Sequence, residues 1–444
     1  MMTRLWGVVL CMVLCMAARA QSETVPDAKE QDRNAQEAMP DTTNLQQFLA
    51  EIDSLLRLDE LHKQQREAEA QKEMLEAAQR RMMESVKYVR IGKKIELGPI
   101  SRIVMRNSID GFRPRFGGRT TAALHPQWFF KGYYSRGFKS RENYFSARAT
   151  YSLNKKLYQP DEYPQRSVSV TAMRDIGMPF EIFNSTYDEN FLTSLRWTSV
   201  GEFVRINRQQ IDFDYDFNRM LKASAQISMQ KIATVGDWSE AMRTTMHLAD
   251  ATMEIDLRPT KNSVVSLSHR AGIRGFLRSN YDYNITEIAY SNRIAAGTGR
   301  VDIGARAGAE WNKVPFMLLC LPAANMAYFS APSTFMLINN HEFANDRYLS
   351  MMVSWDCGGV LLSRIPFLRM LGCHEMLGFR TLWGTVTNKN DYGISRMDGS
   401  KPYCECSVGI CNILGLISVE YVHRLNYLDL PTAHRHGVRI GLPI

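Results

Sequence analysis

Between Asp110 and Leu153 the alternation of apolar and polar residues becomes strict. From Asn143 onward, Phe145, Ala147, Ala149, Tyr151 and Leu153 fall on one face, and Tyr144, Ser146, Arg148, Thr150 and Ser152 on the other. Successive side chains of a strand point to opposite faces, so this is a strand with one apolar and one wet side. A tilted strand crosses a bilayer in ~9–11 residues, whereas strands of soluble proteins average about 5–6. The pattern therefore predicts membrane-spanning strands. It returns from Val204 to Phe217, where Ile211, Phe213, Tyr215 and Phe217 alternate with Asp212, Asp214 and Asp216, and again from Leu221 to Gln230. Further repeats run over Ala249–Leu257, Val301–Trp311, Leu349–Cys357, Cys404–Ile410 and Val438–Ile444. Asn, Asp, Gly and Pro separate most of them, as hairpin turns require. Ile95–Val104 is a weaker segment of the same kind.

The expectation is an all-β fold: a closed antiparallel transmembrane β-barrel of about 14–16 strands over residues 88–444, preceded by an N-terminal periplasmic helix. In the barrel, Arg113, Arg115, Arg119, Arg148, Asp212, Asp214 and Asp216 are expected to face the lumen. Three carboxylates on one face of one strand repel unless water or cations offset them, and Arg205, Arg208, Arg113, Arg115 and Arg119 are the nearest candidates. Such a ladder is either a solvated wall or a charge-selective filter.

One long interruption, Asn312 to Asn345, contains Pro315, Pro322 and Pro332, and its central stretch FMLLCLPAANMAYFSAPSTFML (316–337) is apolar. A loop of this length and composition does not wave in water, and its prolines remove the ladder donors that two more strands would need. It is expected to fold into the lumen or over its rim as a plug, with Phe316, Leu319, Tyr328, Phe329 and Phe335 among the occluding residues.

Ahead of the barrel, residues 1–20 carry Arg4, an apolar run from Leu5 to Ala18 and the triplet Ala18-Arg19-Ala20, the pattern of a cleaved signal peptide of an exported protein. Residues 21–40 are polar and aperiodic, a flexible leader. Asp41 or Thr42 caps a helix over 41–87, with Leu45, Phe48, Leu49, Ile52, Leu55 and Leu56 at helical spacing. If helical throughout, Asn44 to Val89 is roughly 70 Å long. It reads as a solvated tether, or as a coiled coil that docks a periplasmic or outer-membrane protein.

Composition adds exclusions. Hydrophobic residues make up 45% of the chain although mean hydropathy is negative, a combination that strands hiding an apolar residue at every second position produce. The formal charge of +8 falls to +6 when Arg4 and Arg19 leave with the signal, and no basic cluster is interleaved with stacking aromatics, so nucleic acid is not an expected partner. Six cysteines lie beyond residue 20: Cys320, Cys357, Cys373, Cys404, Cys406 and Cys411. Cys404 and Cys406 share a strand face with Val408 and Ile410 and lack the Cys-x-x-Cys turn, so small packed hydrophobes are favoured over a disulfide or a metal site built with Cys411 and His374. No nucleophile elbow or phosphate-binding glycine loop occurs; no catalytic residue, cofactor or metal is expected, and the protein is not expected to be an enzyme.

The stretches DGFRPRFGGRTT (110–121), KGYYSRGF (131–138), YSLNKK (151–156), INNHEFANDRYLSM (338–351), LLSRIPFLRMLGCHEM (361–376), GTVTNKN (384–390) and NILGLISVEYVHRLNYLD (412–429) resemble a Bacteroidetes outer-membrane barrel family of unknown function, over roughly Tyr88 to Ile444. Members often carry an N-terminal carboxypeptidase-regulatory-like domain, whose place the leader and helix take here. More distantly, Asn340 to the end is similar to the last strands of surface-antigen barrels used in outer-membrane assembly and two-partner secretion. In those barrels a lumen-entering loop precedes the last five strands; here Asn312–Asn345 has that place, while the Arg-Gly-aromatic triplet expected in it lies earlier, at Arg274-Gly275-Phe276. The resemblance implies a barrel surrounded by outer-membrane lipid and acting in envelope transport or biogenesis. The alternative is a docking barrel that displays surface loops and a periplasmic helix.

Overall fold

The computed structural model describes residues 87–179, 190–197, 200–329, 333–387, 390–393 and 397–442. The expected signal segment, leader and all but the last residue of the expected helix lie outside the described residues, as does Ile444.

Eighteen strands form one antiparallel sheet. Three are short: β1 (Val89–Ile91), β2 (Ile95–Leu97) and β3 (Val104–Asn107). Then come β4 (Gly111–Thr120), β5 (Trp128–Arg136), β6 (Asn143–Ser152), β7 (Arg166–Gly177), β8 (Glu202–Asp216), β9 (Leu221–Gly236), β10 (Thr245–Thr260) and β11 (Ser263–Gly272). The remainder are β12 (Tyr283–Ala296), β13 (Gly299–Glu310), β14 (Arg347–Asp356), β15 (His374–Thr385), β16 (Tyr403–Ile413), β17 (Ile417–Arg424) and β18 (His436–Gly441). From β4 to β18 each strand pairs with its neighbours in sequence. Both β2 and β3 pair with β4, at its opposite ends, and are two halves of one strand. Pro99, which has no N–H to give a ladder, and the 3-10 turn Ile100–Arg102 separate the halves. This broken strand is the weak segment Ile95–Val104 of the sequence.

Two expectations need correction. The sheet has 18 strands rather than 14–16, because the broken strand counts twice and β1 adds a short ribbon beside β2. Closure is also absent: among the described residues no ladder joins β18 to β1 or β2. The flanking strands are very short, and the free edge of β18 is partly used by the long interruption, where the Ile440 N–H donates to the Tyr328 carbonyl (2.9 Å) and Phe329 bridges Ile440 in parallel.

The outer face is apolar along its length: Phe116, Phe130, Phe145, Val170, Ile211, Phe213, Ile227, Leu267, Ile288, Leu349, Leu377, Val408 and Tyr421 are all exposed. Connections at one end of the sheet are mostly tight (217–220, 261–262, 297–298, 414–416), and those at the other are mostly long (178–201, 311–346, 386–402, 425–435). No helix among the described residues is long and apolar enough to cross a membrane, which says nothing about crossing by strands.

The opening motif shows how sequence sets local structure. Between β3 and β4 the Asn107 side-chain oxygen accepts the amides of Ile109 and Asp110, and Gly111 takes φ +65°. The fully buried Asp110 carboxylate accepts from Tyr144 (2.8 Å), Ser140 (2.6 Å) and Asn107 (3.1 Å), tying this turn to β6.

Candidate functional site

The inner face of the sheet is built from two kinds of contact, charged pairs along the wall and the packing of residues 312–345 against it. Arg113, Arg115, Arg119 and Arg148 all lie on the face opposite Phe112, Phe116, Phe130 and Phe145, as do Asp212, Asp214 and Asp216 opposite Ile211 and Phe213. The Asp ladder is offset residue by residue: Arg148 reaches Asp212 (3.3 Å), Lys222 reaches Asp214 (3.0 Å) and Arg258 reaches Asp216 (3.7 Å). Ser224 also donates to Asp214 (2.8 Å) and the Gln165 amide to Asp216 (2.6 Å).

These are not the cations the sequence suggested. Arg113 pairs with Asp175 (2.7 Å), Arg119 with Glu96 (2.8 Å) and Arg205 with Glu142 (3.2 Å), while Arg115 stacks on the Tyr133 ring and Arg208 donates to Gln230. The reason is register. Cross-strand neighbours such as Lys222, directly opposite Asp216 and one diagonal from Asp214, lie closer than residues a few positions along the same strand.

The long interruption packs inward. Phe316, Met317, Leu318, Leu319 and Met326 join a cluster with Ile206, Ile232, Leu248 and Tyr283 from β8, β9, β10 and β12. Ala324, Phe335 and Phe343 pack with Leu382 and Tyr403 from β15 and β16, and Met336 and Leu337 with Val422 from β17. One segment thus touches strands widely separated around the sheet. Of the residues singled out in the sequence, Phe316, Leu319 and Phe335 are buried and Phe329 is half-buried. Tyr328 departs from expectation: it is 51% exposed, because it stands at the open edge where its carbonyl meets β18, with its ring against Trp197 (6.1 Å).

Polar ties fix the segment to the last strands. The Glu405 carboxylate of β16 accepts the backbone amides of Met336 (2.8 Å) and Leu337 (3.1 Å) and the Tyr403 hydroxyl (2.9 Å). Arg424, at the end of β17, is wholly buried; it donates to the Leu337 carbonyl (3.2 Å) and forms an ion pair with Glu342, itself buried. Arg439 of β18 donates to the Met336 carbonyl and lies 3.7 Å over the Trp197 ring. At the segment's neck Cys320 and Asn345 exchange backbone hydrogen bonds (2.9 and 3.0 Å), and Asn390 accepts the Val314 amide while donating to Asn312 and Asp346. Tyr392 donates to the Val314 carbonyl, and burial pushes its phenol above the ordinary value.

Sequence reasoning found the segment and missed its anchors. Glu405, Arg424 and Arg439 are inward charges whose partners in the segment stand 68 to 103 positions away. The signal that was available is an inward-facing charge on each of β16, β17 and β18. The Arg274-Gly275-Phe276 triplet sits in the β11–β12 connection, with Gly275 at φ +84° and Phe276 exposed, away from these contacts.

Residues 252–410, from β10 to β16 and including the inward segment, match the C-terminal domain of a family of unknown function (DUF5686). Among solved structures, BamA from Haemophilus ducreyi lacking POTRA domains 1–3 is similar at a TM-score of 0.50 and 9% identity, over 82% of this chain and 77% of that one. CdiB from Acinetobacter baumannii (TM-score 0.41, 9% identity, 76% of this chain and 57% of that one) and CdiB from Escherichia coli (0.45, 12%, 76% and 60%) also match. The chain spans less than two thirds of the length of either CdiB. No curated protein sequence matches it. At these identities the likeness concerns fold alone: the chain has the all-β, antiparallel architecture of an outer-membrane barrel.

Proposed function

We propose that the chain is an integral outer-membrane barrel acting in envelope transport or biogenesis, with residues 312–345 occluding its lumen at rest. The observation that carries this reading is the attachment of one apolar segment to strands on both flanks of the inner face. In an open porin the interior is left to water; here Phe316, Leu319 and Phe335 take that place against Ile206, Leu382 and Tyr403. The apolar outer face suits surrounding lipid, since an exposed patch of that extent drives association in water. The fold shared with BamA is in keeping with the same setting. Opening requires the segment to leave, and its polar ties are concentrated on β16, β17 and β18, so these strands form the latch.

Deleting 322–334 removes the middle of the segment and leaves the Glu342 and Asn345 attachments. Ion conductance of the reconstituted barrel in planar bilayers is expected to rise sharply. A wild-type protein that already conducts like an open pore, or a deletion that leaves a closed barrel unchanged, would make the segment a partner-binding surface instead.

A further inference from the structure

At the end of the sheet with the tight connections, β14, β15 and β16 bring three different metal-ligating side chains together on the inner face. Asp356 ends β14, His374 opens β15, and Cys411 stands near the end of β16 directly opposite His374 in register. One donor atom from each lies within 4.8 Å of the others. His374 Nδ1 is 3.0 Å from Asp356 Oδ1. We propose that Asp356, His374 and Cys411 form a zinc site that staples the ends of these three strands.

The donor set argues for the metal class. Magnesium and calcium take oxygen ligands, whereas one imidazole nitrogen, one thiolate sulfur and one carboxylate oxygen suit zinc, with a fourth position left to water. Bonds of about 2.0–2.3 Å place tetrahedral ligands roughly 3.3–3.8 Å apart; His374 Nδ1 and Asp356 Oδ1, at 3.0 Å, already stand at about that spacing, and the widest separation in the cluster, within 4.8 Å, closes by up to about an ångström. The surroundings hold the ligands in place. The Gly358 amide donates to Asp356 Oδ1 (2.9 Å), and Gly359, at φ +77°, lays its backbone against the His374 ring, where a Cβ would come within 3.2 Å of Cδ2. Charge points the same way. Asp212, Asp214 and Asp216 are each paired with a Lys or Arg, but among the described residues the one ion-pair partner of Asp356 is His374; Arg300, opposite it in register, pairs with Asp302 (3.4 Å). Binding expels the Cys411 thiol proton and takes neutral His374, leaving thiolate and carboxylate to balance the two positive charges of the ion.

The test uses the purified full-length barrel in detergent with a thiol-free reductant, first titrated with Zn²⁺ alone and then with Co²⁺ as a spectroscopic probe. Expected are one zinc per chain, a cobalt–thiolate charge-transfer band, and binding at least about tenfold weaker in Cys411→Ser and in His374→Gln. Cys404→Ser, on the lipid-facing side of β16, should keep both binding and band. Chelation should lower the unfolding temperature of wild type and not of Cys411→Ser. No stoichiometric zinc on the wild type, a thiolate band that survives Cys411→Ser, or one lost in Cys404→Ser overturns the proposal. The wild-type titration and spectrum decide it even where a variant fails to assemble.

Discussion

Replacing Arg424 with Met is the sharpest test of the latch. The guanidinium is fully buried and has four acceptors: Asn426 O (3.0 Å), Tyr427 O (2.7 Å), Leu337 O (3.2 Å) and the Glu342 carboxylate. The first two belong to the exit of β17 itself and persist whether or not the segment is seated, so they do not count toward the latch. The last two bind the segment. Removing one partner of a buried ion pair costs ~3–5 kcal/mol, because the remaining charge stays desolvated without compensation. Taking the lower end, since only half of the contacts are to the segment, the unseated population rises about a hundredfold at ~1.4 kcal/mol per factor of ten. The assay is open probability of single barrels in planar bilayers, with assembly checked by heat-dependent mobility on electrophoresis. Glu342→Leu alone should open the barrel as well, leaving Arg424 unpaired, while the Arg424→Met, Glu342→Leu double variant should be less open than the sum of the two predicts, as coupled residues require. An open probability within about threefold of wild type, or strictly additive singles, would refute the claim that this pair holds the segment.

Two further outcomes concern the wall. Ala147→Arg, on the outer face of β6, should block assembly far more than Ser146→Arg on the inner face, by ~2–4 kcal/mol at the bilayer midplane; equal assembly in lipid vesicles would reverse inside and outside. Ser146 serves better as the control than Thr150, which is buried against Ser169 at 2.9 Å. Glu96→Ala should loosen the N-terminal edge, because the buried carboxylate accepts from Arg119 (2.8 Å), Arg90 (3.1 Å) and Tyr158 and so ties β1, β2, β4 and the 153–165 connection together. A loss of at least about 3 kcal/mol is expected, read as earlier denaturant-induced proteolysis near Val89, with no change there counting against it.

The period of two made the wall legible. Val204–Phe217 became β8 within two residues at its start and one at its end, and Leu349–Cys357 became β14 shifted by two and one. Alternation reports one residue's face from its neighbours' types, so it assigned Arg148 and Asp212 inward without knowing that they meet. It failed where contacts are set by register or by chain reversal over long spans. Lys222, Arg258, Glu405 and Arg424 are each ordinary polar residues at inward positions, and only the fold shows which carboxylate or amide lies opposite. Tyr328 failed for a related reason: apolar composition predicts burial of a segment as a whole, while the residue at an open sheet edge is held by its backbone carbonyl and leaves its ring outside. The cluster of Asp356, His374 and Cys411 was half visible, since two of its members were weighed in the wrong company; Cys404 and Cys406 point away from Cys411 because they differ from it by odd numbers of residues.

The Asp212, Asp214 and Asp216 ladder can now be argued as wall rather than filter, and the barrel lacking 322–334 tests it. A filter selects ions with uncompensated charge. Here Asp212, Asp214 and Asp216 face Arg148, Lys222 and Arg258 at 3.3, 3.0 and 3.7 Å, so the strip presents little net charge to a passing ion. The same inner face carries Arg119, Lys131 and Arg148 in one cross-strand row on β4, β5 and β6, of which Arg119 and Arg148 are matched by Glu96 and Asp212. In a salt gradient the deletion barrel should therefore show a reversal potential near zero. Lys222→Ala with Arg258→Ala removes the partners of Asp214 and Asp216 without touching the segment or the ladder itself. Asp256, which shares Arg258 (3.7 Å), loses its cation as well, so three carboxylates are left to a lumen where opposite charges a few ångströms away no longer screen them, and the reversal potential should move toward that of a cation-selective pore, more at low salt, where the Debye length is longer, than at high. A deletion barrel that is already strongly cation-selective with Lys222 and Arg258 in place would mean that the ladder acts as a filter in spite of its partners.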